Sequence, residues 1–138
     1  MTLLEAIGAW FAAQEFGEVG VDLFLQERPS RPVGVTALYL DGGEAEVSRP
    51  VRRVRLRCAV RAESAHEALE GADAIFDRLH GRENFPLDDG WWCYLAAGAT
   101  TPALAGRAQP EGGGPGMVAE CGFVLVVRAL ASPPAPLP

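Results

Sequence analysis

Hydrophobic positions recur along this chain with two different periods, and the changes of period divide it into elements. Leu3, Leu4, Ile7, Trp10 and Phe11 fall three and four residues apart, the spacing that lines one face of a helix. Thr2 and Glu5 have the form of a capping box, in which each side chain satisfies a free backbone N–H at a helix start. A first helix over about residues 2–15 is predicted. Val21–Gln26 reads as a short strand that Pro29 and Pro32 break, and Val33–Leu40 as a second strand ended by the turn formers Asp41, Gly42 and Gly43. The period then becomes strictly two. In RRVRLRCAVR, residues 52–61, Val54, Leu56, Cys58 and Val60 point one way and Arg53, Arg55, Arg57, Ala59 and Arg61 the other, within a third strand over about 51–62.

A second capping box, Ser64 with Glu67, opens the segment that carries Ala65, Ala68, Leu69, Ala72, Ile75, Phe76 and Leu79. These make one apolar stripe of a helix that ends near Leu79 or His80, with Gly81 where a C-cap falls. Trp91–Ala97 reads as a fourth strand and Val118–Leu130 as a fifth. Between them Gly98–Gly116 holds Pro102, Pro110, Pro115 and the run from Glu111 to Gly116, which predicts a long mobile loop. The end of the chain, SPPAPLP, is too poor in packable side chains for a core and reads as a disordered tail over 131–138.

The order α-β-β-β-α-β-β predicts one α+β domain over residues 1–130, a mostly antiparallel sheet of about five strands with two helices packed on one face. An antiparallel sheet with a wet face alternates apolar and polar positions. Here both faces are apolar: Cys121, Phe123, Leu125 and Val127 alternate with Val124, Val126 and Leu130, and Trp91, Cys93 and Leu95 with Trp92, Tyr94 and Ala96. Val35, Ala37 and Tyr39 alternate likewise with Thr36, Leu38 and Leu40. Two helices cover only one side, so the second face requires another copy of the chain or a partner to cover it.

Composition narrows the classes. A chain of 138 residues with 49% apolar and 22% charged positions has the makings of a single globular core. No apolar run approaches the ~20 residues of a spanning helix, so no membrane association is expected. The N-terminal MTLLEAIGAWFAAQE carries Glu5 and no basic region, and reads as a helix of the mature fold rather than a secretory signal, which places the chain in a cytoplasm at synthesis. Cys58, Cys93 and Cys121 are odd in number and lie in apolar segments, which points to reduced core thiols. All 12 basic residues are arginine, against a net charge of −6. Arginine suits partly buried, bidentate or stacked contacts better than lysine.

Three readings of the arginine stripe stand side by side: a solvated face that keeps a strand from aggregating, an inter-subunit contact with acids of a neighbour, and nucleic-acid binding, which the acidic net charge disfavours. The other chemistry-bearing residues form no site. His66 and His80 have no ligand at metal spacing, and His80 fits a cation at a helix C-terminus. Asp88 and Asp89 precede Gly90 as in a turn. The glycine run lacks the lysine and hydroxyl of a phosphate loop. Ser64 and Ser132 sit at a cap and in the tail, so no nucleophile has a base. No catalysis, metal or cofactor is expected.

The opening MTLLEAIGAWFAAQ, the segment GVDLFLQERP, the strand ending in DGG, and RPVRRVRLRCAVRAESAHEALEGADAIFDRLHG followed by ENFPL together resemble the minor capsid or tail-terminator (tail-completion) family of long-tailed bacteriophages, over about residues 1–130. The resemblance implies an α+β structural protein of the virion neck. Such a protein forms a homohexameric ring that ends tail-tube polymerisation, contacts the tail-tube protein and docks head-completion proteins in head–tail joining. DNA passes through its lumen without specific binding. In a ring each interface joins unlike patches, so Arg53, Arg55, Arg57 and Arg61 would face acids of the next copy, with Glu44 and Glu46, or Asp73 and Asp77, as candidates. The competing reading is a small α+β ligand-binding or regulatory module that dimerises through its sheet.

Overall fold

The computed structural model describes residues 2–45, 50–107 and 116–130. Its first helix, α1 (Leu3–Ala13), starts as the capping box requires: Thr2 Oγ1 accepts from the Glu5 amide and Glu5 Oε1 accepts from the Thr2 amide. Those bonds hold the Glu5 carboxyl below its ordinary pKa. The helix stops two residues before the predicted end because Glu15 turns left-handed (φ 66°) and the Phe16 amide reaches back to the Phe11 carbonyl at 3.0 Å. This closure drops Phe16 onto the core beside Phe11.

The remaining elements are β1 (Leu23–Leu25), β2 (Val35–Ala45), β3 (Arg52–Ala62), α2 (Ala65–Leu79), β4 (Arg82–Asp88), β5 (Trp91–Arg107) and β6 (Met117–Ala129). They form an α+β fold with one mixed six-stranded sheet in the order β1-β2-β3-β6-β5-β4. Neighbours are antiparallel except β1, which runs parallel to β2. No helix is long and apolar enough to cross a membrane.

Three strand expectations need correcting. The Asp41-Gly42-Gly43 segment does not end β2. It forms a bulge, with Gly42 at φ 90°, and the strand continues to Ala45. Only glycine fits at position 43, where a Cβ would fall 1.8 Å from the Arg53 carbonyl oxygen. Residues 98–107 are not loop: β5 runs on to Arg107 beside β6, through register shifts that absorb Gly98 and Pro102. The sixth strand is β4, where only Phe85 and Leu87 point inward and Pro86 sits on the sheet edge, which needs no ladder N–H. The Asp88-Asp89-Gly90 turn joins β4 to β5 as expected, the Gly90 amide donating to Asp88 Oδ1. The expected disordered tail, 131–138, lies outside the described residues.

Both helices pack on the same side. Ile7, Trp10 and Phe11 of α1 and Ala72, Ile75 and Leu79 of α2 share one core with Leu56, Cys58, Phe123, Leu125 and Val127 of the central strands. Full burial of each large side chain contributes about 1.5–3 kcal/mol. The predicted division of β2, β3 and β6 into inner and outer positions holds. In β5 it does not: a bulge at Tyr94 shifts the register so that Ala96, not Leu95, joins the core, and Leu95 pairs with Val126 on the far side. His80 also plays a different part from a helix-end cation. Its Nδ1 accepts from the Gly98 amide at 2.8 Å while its ring stacks on Phe76, tying the end of α2 to β5.

All three cysteines are buried and free. Burial, with Cys121 alongside, raises the Cys58 thiol well above its ordinary value, and burial pushes Cys93 from 9.0 up to about 12. The folded chain therefore keeps a proton on Cys93 that the unfolded chain loses between pH 9 and about 12, so stability falls as pH rises through that window. Urea unfolding across it should show Cys93→Ala with a shallower alkaline decline than the parent, the difference being at most about 1.4 kcal/mol per pH unit. An aromatic disulfide reagent near neutral pH should label the thiols only in denaturant; immediate labelling of the folded chain would contradict their burial.

Candidate functional site

Period-two alternation in β3 sends Arg53, Arg55, Arg57 and Arg61 to the face opposite the helices, and β3 lies in mid-sheet between β2 and β6. Their surroundings differ sharply. Arg61 is 1% exposed. Its Nε donates to the Val33 carbonyl at 3.0 Å, and Nη2 donates to the carbonyls of Pro29 and Pro32 at 2.6 and 2.7 Å. The expectation that Arg61 faces a neighbouring subunit is therefore corrected: the segment before β2 folds over the end of β3, and this guanidinium pins it there. Beside it Ala37, Ala59 and Val118 form a small second core with Tyr39 packed against it.

Arg57 is half-buried and already engaged. Its Nε lies 3.3 Å from Asp41 Oδ2, its Nη1 lies 3.6 Å from Glu120 Oε1, and its guanidinium sits 4.2 Å from the centre of the Tyr39 ring. Arg53 and Arg55 are exposed. In the ladder Arg53 stands between Glu44 and Val126, so Glu44, offered as an acid for the next copy, already lies opposite Arg53 on its own chain. Arg55 lies opposite Val124 on one side and the β2 bulge on the other, and has no partner among the described residues. Asp73 and Asp77 are exposed on α2, across the sheet from the arginines, where only another molecule could bring the two sets together. Glu46 lies outside the described residues.

The centre of this face is apolar. Leu95 and Ala97 of β5 lie beside Val126 and Val124 of β6, with Trp92 further along, all half-buried. Both helices lie on the other side. Toward the tip of β5 the face deepens into an open cavity of about 320 Å³ lined by Arg55, Arg57, Thr100, Leu104, Glu120 and Gly122. Its floor is low because position 122 has no side chain: a Cβ there would fall 2.4 Å from Thr100 Oγ1. This cavity was not foreseen, since its β5 wall falls in the stretch read as a loop. The signal available was Thr100-Thr101 and Ala103-Leu104-Ala105 flanking a lone proline, a strand-compatible pattern hidden among glycines.

Arg52, one position out of phase with the stripe, caps Trp91 at 5.0 Å from its ring centre on the helix side. His66 pairs with Glu70 at 2.9 Å one turn along α2. Among the described residues no three His, Cys, Asp or Glu side chains gather as a metal site.

Arg61 is the member of the stripe whose loss should be felt in the monomer. Arg61→Ala leaves three carbonyls without that donor, and urea denaturation should show a loss on the order of 3 kcal/mol. Arg55→Ala should stay within about 0.5 kcal/mol of the parent. Equal effects of the two substitutions would contradict the difference in burial.

No family model and no curated protein matches this chain.

Proposed function

We propose that this chain is a ring-forming structural subunit of the neck of a long-tailed bacteriophage, a tail terminator assembled in the host cytoplasm and carried in the virion. In this role it caps the tail tube, halts tube growth, docks the head-completion proteins and leaves a lumen for DNA. The carrying observation is the uncovered sheet face: an apolar centre of Val124, Val126, Leu95 and Trp92 bordered by exposed Arg53 and Arg55, with both helices on the opposite side. An apolar patch edged by guanidinium groups is suited to a protein contact, since arginine stems lie on apolar surface while their heads pair with acids at the rim. The motif resemblance supports the neck assignment within that structural class.

Native mass spectrometry and negative-stain microscopy of the purified chain, alone and with tail tubes, test the proposal. A six-subunit ring, free or on tube ends, is expected. A chain that stays monomeric in both conditions would overturn it, and a closed dimer would favour the ligand-binding module instead. Binding to duplex DNA should be weak at physiological salt, because Arg57 and Arg61 are committed within the chain. Tight binding that collapses steeply with added salt would move the arginines to the lumen.

A further inference from the structure

The turn between α1 and β1 carries the most exposed large apolar side chains among the described residues, Val21 at 53% and Val19 at 46%. It is held rigidly. The amides of Val21, Asp22 and Leu23 all donate to the Glu18 carbonyl at 3.0–3.1 Å, the Gly20 amide donates to the Leu23 carbonyl, and Asp22 Oδ1 accepts from the Glu18 amide at 2.7 Å. A turn fixed in this way displays its valines with little entropy left to lose on contact. Its charge is of one sign: Glu15 and Glu18 are exposed, Asp22 follows, and no basic residue occurs between Gln14 and Glu27. The Glu18 carboxylate has no partner among the described residues.

The β5–β6 cavity is mixed in charge, with Arg55 and Arg57 beside Asp41 and Glu120. Leu104, 42% exposed, is the exposed large apolar residue of its lining. Arg57 bridges Asp41 and Glu120, the two lining carboxylates, which leaves Arg55 as the lining cation without a partner among the described residues. The turn adjoins the start of β1 at one edge of the sheet, whereas the cavity lies over β3, β6 and β5 and reaches β2 only at Asp41, toward the other end of that strand from the β1 pairing. The two patches are unlike and separated, so a contact between them joins different copies head to tail, the geometry that closes into rings.

We infer that the Glu18–Asp22 turn of one copy seats in the Arg55–Leu104 cavity of the next, its valines against Leu104 and the Gly122 floor and Glu18 against Arg55. The contact rests on the head-to-tail reading above and names the two surfaces that make it. Sedimentation velocity of the full chain, with circular dichroism to confirm folding, tests it through exposed positions only. Val19→Ser with Val21→Ser, Arg55→Glu, and Glu18→Arg should each weaken self-association at least tenfold, and the exchange Glu18→Arg with Arg55→Glu should restore it. A ring that persists in all these variants overturns the contact while leaving the ring itself standing. Rescue of Arg55→Glu by Asp73→Arg with Asp77→Arg, and not by Glu18→Arg, also overturns it and gives the arginine to α2 of the neighbour. A parent chain that shows no self-association overturns both readings, and open oligomers sensitive to these substitutions uphold the contact without the closed ring.

Discussion

Two helices and one sheet can satisfy a single face, and in this fold both helices fall on the same one. α2 follows directly from the end of β3, and α1 lies over the β1, β2 and β4 region, so their apolar stripes meet in one core. That core is well filled, with Phe11, Phe123, Leu56 and Leu125 at most 1% exposed. The strands nevertheless carry large apolar side chains on their other side. Sequence positions that serve a wet face are normally polar; Val124, Val126, Leu95 and Trp92 are not. Everything proposed about assembly depends on that excess of apolar surface over what the chain hides by itself.

Much of this was legible from periodicity. The alternation of β3 sorts its residues to their faces, the Thr2–Glu5 capping box starts α1, and the Ser64 side chain, accepting from the Glu67 amide, starts α2. Depth was not legible. Period two tells which side Arg61 points to, but its burial depends on residues 29–33 folding across the strand end, a long-range event with no local signature. Register was lost at the bulges for a similar reason: one inserted residue at Tyr94 exchanges the roles of Leu95 and Ala96. The extension of β5 was hidden because glycine and proline are punctuation in isolation, yet an edge stretch beside a long regular strand tolerates both.

An acidic chain uses its arginines in three distinct physical settings along the outer face of a single strand. Arg61 acts as a buried crosslink to backbone carbonyls, a task for which several donors in one fixed plane are well matched. Arg57 acts as a surface hub between two carboxylates and an aromatic ring, where each exposed pair is worth about 0–1 kcal/mol. Arg53 and Arg55 remain at the exposed end of the stripe. The acids named for the other side divide in the same way: Glu44 shares the sheet with Arg53, whereas Asp73, Asp77 and the turn acids stand where only another molecule can present them to these arginines.

That division bears on what holds copies together. Exposed ion pairs are too weak to drive assembly, so affinity has to come from apolar area, at about 25 cal/mol per Å² removed from water. The charges then set which patch meets which and in what register. An apolar face alone would pair with itself around a twofold axis, giving an isologous dimer with like charges opposed. In the proposed assembly, arginine on the sheet face and carboxylates on the turn and helix would disfavour that self-pairing and favour a head-to-tail one. In the proposed assembly the charge pattern would thus select between the closed dimer and the ring from the same half-buried apolar surface, with Arg55 beside Val124 marking the rim of the contact.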